Sequence, residues 1–113
     1  MKLENFKRAI VPQRKITAYL LSPTHRDGKS KQAFFTRFGF SFDEWKDLAA
    51  ALLKHAADNE VTRVEQSPFG VRYVIDGIIN TPDGRNPRIR SIWFIGEREE
   101  TPRFATAYPL KEK

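Results

Sequence analysis

The sequence predicts an α+β fold, with three N-terminal helices packed on a four-stranded antiparallel sheet. Helix-type spacing of apolar residues fills the chain before Asn59, and alternating β-branched and aromatic residues fill it afterwards. Helices grouped before strands favour this arrangement over the alternating units of a parallel sheet. At 113 residues we expect one domain, 1–113, with a lead-in at 1–11, a helical part at 12–57 and the sheet at 60–110.

Two short helices are predicted first. Pro12 suits a first helical position, and residues 14–21 end in an apolar cluster. Proline, glycine and small polar residues then indicate a surface loop that contains His25. Residues 30–38 carry aromatic residues at helical spacing, and Gly39 can adopt the positive φ that closes such a helix.

The third predicted helix has the clearest signals. Ser41 followed by Glu44 has the pattern of a capping box, in which a side-chain oxygen accepts a hydrogen bond from a free backbone N–H. One face of the following segment is apolar at helical spacing, formed by Trp45, Leu48, Ala49, Leu52, Leu53 and Ala56. His55, near the end of this helix, is expected to have a structural role, its positive charge complementing the helix dipole.

Four strands are predicted, at 61–66, 71–79, 89–95 and 103–108. The turn at 67–70 makes the first two a hairpin. The third strand places Ile89, Ser91, Trp93 and Ile95 on one face and Arg88, Arg90, Ile92 and Phe94 on the other, so Trp93 is expected in the core rather than stacked on a base. The fourth alternates Phe104, Thr106 and Tyr108 with Arg103, Ala105 and Ala107.

Composition bounds the function. Twenty Lys and Arg against 14 Asp and Glu give a net charge of +6, which favours polyanions, and the first 40 residues are the most basic. The chain has no cysteine, which suits a reducing cytoplasm and excludes disulfides and thiolate metal sites. We expect neither metal nor cofactor, because two distant histidines make no zinc site and no phosphate-binding glycine motif occurs. No segment predicts a secretory signal or a membrane span.

Several motifs carry a resemblance to a known family. They are residues 19–25 (YLLSPTH), residues 28–40 (GKSKQAFFTRFGF), and residues 90–95 (RSIWFI) together with 102–110 (PRFATAYPL). These segments resemble a bacterial domain family of unknown function, whose members occur as small stand-alone proteins and as terminal cargo of polymorphic toxins. The resemblance implies a toxin-related role. The order of helices then sheet is also similar to the barnase, EndoU, colicin and RelE group of ribonucleases, which cut RNA without a metal.

Metal-free RNA cleavage needs a base for the 2′-hydroxyl, an acid for the leaving oxygen, and cations for the charge that grows on the phosphate. His25 is the candidate base or acid, because Arg26, Lys29 and Lys31 surround it with positive charge that binds phosphate and favours the neutral imidazole. An equally simple interpretation is that His25 only caps a helix or hydrogen-bonds the turn.

Other candidate residues would bind the phosphate. Lys31, at the start of the second helix, can bind an anion together with free backbone N–H groups, and Lys29 and Arg26 can attract substrate. For Lys29, a simple solvated lysine is the stronger interpretation.

Arginines and hydroxyls of the sheet complete the set. Arg90 and Arg103 can stabilise the phosphorane, although either can instead pair with Asp76 or Glu97. Thr106 and Tyr108 share a strand face and can orient phosphate or base edges, and ordinary packing is the alternative for both.

The leading functional prediction is therefore a metal-independent ribonuclease-like toxin domain, an endoribonuclease whose site lies where the His25 loop and the second helix meet the sheet. The alternative is a non-catalytic protein-binding module in a two-protein, toxin–antitoxin-like complex. Its basic surface would then bind an acidic partner or inhibitor protein from a neighbouring gene. Nucleic-acid binding without cleavage ranks last, because the chain lacks a helix-turn-helix or an aromatic RNA-reading motif.

Overall fold

The computed structural model describes residues 1–22, 24 and 29–110, with Lys29 described by its backbone alone. A 3₁₀ turn at Phe6–Arg8 comes first. The helices are α1 (Gln13–Lys15, continued by a π-helical turn at Ile16–Leu20), α2 (Lys29–Arg37) and α3 (Trp45–Asp58). The strands are β1 (Val61–Ser67), β2 (Gly70–Ile78), β3 (Arg88–Gly96) and β4 (Arg103–Pro109), which pair in the order β1-β2-β3-β4. All three pairings are antiparallel, so the predicted α+β class with three helices and a four-stranded antiparallel sheet is confirmed.

Gly39 closes helix α2, as the sequence predicts. The Gly39 N–H donates to the carbonyl of Thr36 at 3.1 Å, the Phe40 N–H donates to that of Phe35 at 3.2 Å, and Gly39 has a φ of 103°. This is the Schellman pattern, in which a positive-φ residue lets two late N–H groups satisfy helix carbonyls. The rings of Phe35 and Phe40 pack edge to face, with centroids 6.1 Å apart. The motif therefore turns the chain and buries two aromatic rings.

Helix α3 begins later than its capping signal indicates. The Ser41 hydroxyl accepts a hydrogen bond from the Glu44 N–H at 3.3 Å, which is one of the two bonds of a capping box. That bond closes a turn, and the α-helix itself starts at Trp45. Four of its residues are buried, including Leu48 and Leu52.

The core lies between the helices and one face of the sheet, which we call the inner face. Its largest buried side chain, Trp93, has no exposed surface and packs edge to face with Phe104 at 5.4 Å between centroids. The prediction that Trp93 belongs to the core is confirmed. Ile75 and Ile89 cover the same face, and Phe35 and Leu52 pack against it from the helices.

A buried hydrogen-bond network joins α3 to the inner face. His55 is 1% exposed, and its Nε2–H donates to the carbonyl of Gly77 at 3.1 Å. Its Nδ1 accepts from the Ser91 hydroxyl at 2.9 Å, and that hydroxyl accepts from Trp93 Nε1–H, also at 2.9 Å. Burial lowers the pKa of His55, outweighing the hydrogen bonds that raise it. The predicted reason for this histidine, a positive charge on the helix dipole, is therefore wrong, because the ring is held neutral as a structural link.

Strand β4 contains a bulge that the sequence does not predict. Ile92 lies opposite Thr106 while Trp93 lies opposite Phe104, so Ala105 has no opposite residue. Phe104 and Ala107 are consequently both buried in the core, and Thr106 points to the opposite, outer face. The expectation that Phe104 shares a face with Thr106 and Tyr108 is wrong, because one extra residue shifts the alternation.

The first eleven residues are attached to the sheet. Leu3 is buried, and the Met1 carbonyl accepts a hydrogen bond from the Val61 N–H at 2.7 Å. Ile10 forms a parallel bridge beside Arg103, with its carbonyl accepting from the Phe104 N–H at 2.9 Å.

In the described part of the chain, no helix has the length and apolar character needed to cross a membrane.

Candidate functional site

The predicted site residues fall into three groups. His25, Arg26 and the side chain of Lys29 lie outside what the structure describes. Lys31 and Thr106 meet at the β4 side of the sheet, and Arg90 contacts Tyr108 on the outer face. The first of these two meetings takes place through Tyr19, a residue for which the sequence predicts no chemical role.

Tyr19 is linked directly to β4. Its phenol oxygen lies 3.1 Å from Thr106 Oγ1, at hydrogen-bond distance. Tyr19 belongs to the π-helical turn after α1, and the β4 bulge gives Thr106 its outward direction. The contact joins two residues 87 positions apart in the chain.

Two lysines approach the Tyr19 ring from different elements. Lys31 Nζ in α2 lies 5.2 Å from the ring centroid, and Lys15 Nζ in α1 lies 5.8 Å from it. Lys15 precedes Tyr19 by four residues, which places both side chains on one helical face. Cations at this distance interact favourably with the ring and with any negative charge on its oxygen.

These neighbours change the acidity of Tyr19. Its partial burial favours the neutral phenol and acts to raise the pKa. Hydrogen bonds from Thr106 and Lys31, and the charges of Lys31 and Lys15, outweigh burial and lower the pKa below its ordinary value. The phenol is therefore a better proton donor than an ordinary tyrosine, and its conjugate base is better stabilised.

A surface cavity of about 600 Å³ adjoins this group. Arg14, Lys15 and Tyr19 line it together with Pro12, Ala18 and the bulged Ala105. The wall thus combines cationic groups with a phenol, and the cavity is open to solvent. A phosphate group fits this chemistry.

Arg90 is held in the outer face by Asp76. Nε and Nη2 of Arg90 donate to the two carboxylate oxygens of Asp76 at 2.7 and 2.9 Å. Asp76 and Tyr108 lie directly opposite Arg90 on the neighbouring strands, and Tyr108 also hydrogen-bonds the guanidinium. The hydrogen bond from Arg90 lowers the pKa of Asp76, and Asp76 raises that of Arg90. Arg90 thus forms a carboxylate pair with Asp76, the alternative to a phosphate role that the sequence leaves open.

Arg103 lies on the other side of Thr106 from Arg90. It is opposite Phe94, whereas Arg90 is four residues earlier on β3. Its nearest carboxylate contact is with Glu99 at 3.8 Å, between exposed side chains, which contributes little to stability. Thr106 and Tyr108 are two residues apart on the same face, which corresponds to about 7 Å along the strand. The Tyr19 group and the Arg90 group are therefore neighbours, and Arg103 lies one row beyond Thr106 in the opposite direction.

Sequence reasoning misses Tyr19 and Lys15 as parts of the site, and it names Asp76 only as an alternative partner for Arg90 or Arg103. Tyr19 falls within the apolar end of the first predicted helix, although its four-residue spacing from Lys15 is a visible signal. Nothing in the sequence indicates that this helix meets β4. Among the described residues, no three His, Cys, Asp or Glu side chains are grouped so that they could hold a metal ion.

Comparisons with known proteins address the fold and the family. A family model described as "Domain of unknown function (DUF6883)" matches residues 2–111. No curated protein matches the chain. Among solved structures, the chain is similar to a chain of the contact-dependent growth inhibition toxin–immunity protein complex from Klebsiella pneumoniae 342. The TM-score is 0.70 at 16% identity, over 90% of this chain and 100% of that one, so the likeness is one of fold.

Proposed function

The chain belongs to the DUF6883 family, whose description names no activity, and we propose that it is a metal-independent, ribonuclease-like toxin domain. The similar fold in a growth inhibition toxin–immunity protein complex supports the toxin part of the proposal. The net charge of +6 supports an anionic substrate. An RNA substrate would place its action in the cytoplasm.

The observation that carries the proposal is the meeting of Tyr19, Thr106, Lys31 and Lys15 beside an open cavity. A phenol of lowered pKa next to two ammonium groups is suited to proton transfer at a phosphate. The ring of Tyr19 packs against the hydrophobic core, and its phenol oxygen is hydrogen-bonded to Thr106 of β4.

The proposed reaction transfers the phosphoryl group of a phosphodiester from the 5′-oxygen to the neighbouring 2′-oxygen, which gives a 2′,3′-cyclic phosphate and a 5′-hydroxyl. A base takes the 2′-hydroxyl proton, the 2′-oxygen bonds to phosphorus, and the bond from phosphorus to the 5′-oxygen breaks. In this scheme Tyr19 donates the proton that the leaving 5′-oxygen needs. His25 remains the candidate base, as its sequence neighbours indicate.

The cations would stabilise the charge that develops on the phosphate. Lys31 and Lys15 stand on the Tyr19 side, and Arg90 stands on the neighbouring row of the sheet. Because Asp76 binds one edge of the guanidinium, the other N–H groups of Arg90 have a fixed direction next to Tyr108. In many enzymes that stabilise oxyanions, such pre-positioned donors contribute more to the rate than any other group.

The direct test is RNA cleavage by purified protein in EDTA. Tyr19→Phe and Lys31→Ala are expected to reduce the rate by roughly a hundredfold each, because proton transfer and phosphate charge stabilisation are lost. Lys46→Ala is the matched control, since Lys46 lies over Trp45 on α3 and should leave the rate unchanged. Circular dichroism would verify the folding of each variant. Cleavage that requires added metal, or that survives both substitutions, would refute the proposal.

One observation favours a second candidate, a protein-binding module. The similar solved fold belongs to a complex of two proteins, so a partner protein for this chain is also proposed. The chemistry would then be absent, and the basic surface would bind an acidic inhibitor. Salt-sensitive binding to the product of a neighbouring gene, without any RNA turnover, would favour the module. Toxicity on expression that the neighbour relieves would favour the enzyme.

A further inference from the structure

The outer face of the sheet carries an unusual set of side chains. Five arginines share it with two carboxylates: Arg63, Arg72, Arg88, Arg90 and Arg103, and Glu65 and Asp76. The apolar core lies against the inner face, so packing does not require these residues here. The outward-pointing Val74 and Ile92 are nevertheless buried beneath their neighbours. The result is a cationic surface that adjoins the Tyr19 group.

Two aromatic rings share this surface, Tyr108 beside Arg90 and Phe94 farther along β3. Phe94 is half-buried, with Arg72 directly opposite on β2 and Arg103 directly opposite on β4. Its ring lies against Gly70, where an added Cβ would come 2.7 Å from the Phe94 Cζ atom. Only a glycine leaves room for the ring there. The ring is therefore held in place between two arginines, so little conformational entropy is lost when a ligand stacks on it.

Both flanking arginines are available to a ligand. Arg72 is 47% exposed and contacts Glu65 at 3.7 Å, and Arg103 is 54% exposed and contacts Glu99 at 3.8 Å. Exposed ion pairs of this length contribute little and are readily exchanged. Each guanidinium can accordingly turn to a phosphate without breaking a strong interaction.

We propose that Phe94, with Arg72 and Arg103, is a nucleotide subsite, in which a base of single-stranded RNA stacks on the ring and the two arginines bind adjacent phosphates. The proposal rests on the proposed function and deepens it by naming the form of the substrate. Phe94 lies two residues along β3 from Ile92, which is opposite Thr106, a separation of about 7 Å. An oligonucleotide of a few residues therefore spans the subsite and the Tyr19 group. An acidic protein would use the arginines but would have no need of the ring.

The test measures binding without cleavage. Two fluorescent probes are used. The first is a 2′-O-methyl hexanucleotide, which lacks the nucleophilic hydroxyl, and the second has the same length and backbone but no bases. Phe94→Leu, which retains an apolar side chain against Gly70, is expected to weaken binding of the first probe about tenfold and to leave the second unchanged. Phe94→Trp, which keeps an aromatic ring, should bind the first probe as tightly as the wild type does. Phe42→Leu removes another exposed aromatic ring, outside the sheet, and serves as the control.

The arginines give a second readout. Arg72→Ala and Arg103→Ala are expected to weaken both probes equally and to reduce the salt dependence of binding, because each removes a phosphate contact. Wild-type affinity in Phe94→Leu, equal losses on both probes in that variant, or no binding of either probe would overturn the subsite. Displacement of the hexanucleotide by polyglutamate that is equally strong in wild type and Phe94→Leu, with no preference for bases, would assign the face to an acidic protein.

Cleavage by the wild-type protein in EDTA separates this proposal from the preceding one. Base-dependent binding that needs Phe94, without any cleavage, would support the subsite and refute the ribonuclease. Cleavage together with binding that ignores Phe94 would support the ribonuclease and refute the subsite.

Discussion

Two ring–hydroxyl pairs connect helices to the sheet, and they differ in almost everything except distance. On the inner face, His55 Nδ1 lies 2.9 Å from the Ser91 hydroxyl, and at the β4 side Tyr19 lies 3.1 Å from the hydroxyl of Thr106. The His55 pair is sealed in the core, and both ring nitrogens and the serine hydroxyl are occupied. The Tyr19 pair borders a cavity and two lysines.

The difference shows how the surroundings of a titratable ring determine its use. Burial lowers the pKa of His55 and keeps it neutral, so it serves as a hydrogen-bonding link. For Tyr19, hydrogen bonds and positive charges overcome burial and lower the pKa, which stabilises the anion. A histidine is the usual candidate for acid–base work, yet in the described part of this chain the tyrosine has the environment that such work requires.

The largest expected effect is on stability, from Ser91→Ala. The substitution leaves His55 Nδ1 and Trp93 Nε1–H without partners in the core, and each unsatisfied buried group costs about 1–3 kcal/mol. We expect a loss of about 3 kcal/mol in the free energy of unfolding, measured with urea. Thr106→Val, the matched change at the other pair, should cost less than about 1 kcal/mol because Thr106 is only partly buried. Equal losses would contradict the comparison.

The rate of RNA cleavage should depend on Thr106 and not on Ser91, the reverse of the order expected for stability. Thr106→Val removes the hydrogen bond that favours the Tyr19 anion, and we expect about a tenfold lower rate, as for the loss of one hydrogen bond to a developing charge. Ser91→Ala should retain the wild-type rate per folded molecule. Single-turnover measurements below the unfolding temperature of both variants would test this. A slower Ser91→Ala enzyme would place the reaction on the inner face instead.

The pH dependence of stability should reveal His55. Its folded pKa lies below the ordinary value near 6.5, so the unfolded chain binds a proton that the folded protein resists. The free energy of unfolding should therefore fall as pH decreases below about 6.5, by at most about 1.4 kcal/mol per pH unit from this group. Urea titrations from pH 7 to 5 on the wild type and His55→Gln would measure it. An unchanged slope in the variant would contradict the buried neutral ring.

The smallest effect is spectroscopic and concerns Tyr19. Its phenol should ionise below the ordinary range, whereas Tyr73, whose pKa is raised by burial and by Glu4, should ionise last. Absorbance titration should show an early phase that Tyr19→Phe removes and Thr106→Val moves to higher pH. The pKa of Tyr19 is lower in the folded protein than in the unfolded chain. Its ionisation therefore adds stability only as pH rises through the folded pKa, and it adds none at neutral pH. No early phase would contradict the assignment.

Much of the fold could be predicted because its signals are local. The two-residue turn between Ser67 and Gly70, the closure of α2 by Gly39 and the alternation of β3 around Trp93 depend on neighbours in sequence. The predicted membership of a family of unknown function is confirmed. The likeness to the ribonuclease group stays a prediction. The late start of α3 could not be predicted because its capping bond closes a separate turn.

The site was only partly predictable because it depends on distant contacts. Arg90 had two candidate carboxylates, and the register of β2 against β3 selects Asp76. Lys31 and Thr106 both lie near Tyr19, which was not predicted because Tyr19 meets β4 only after the chain has folded. His25, the centre of the sequence hypothesis, remains a prediction.

The unpaired Ala105 has a consequence for how this architecture can vary. Deleting it would restore regular alternation, with Phe104 and Ala107 still inward and Thr106 and Tyr108 still outward. The residue is thus a spacer that the core does not need, and it lines the cavity beside Tyr19. A change in length at this position would reshape the cavity wall while leaving the hydrophobic interior intact.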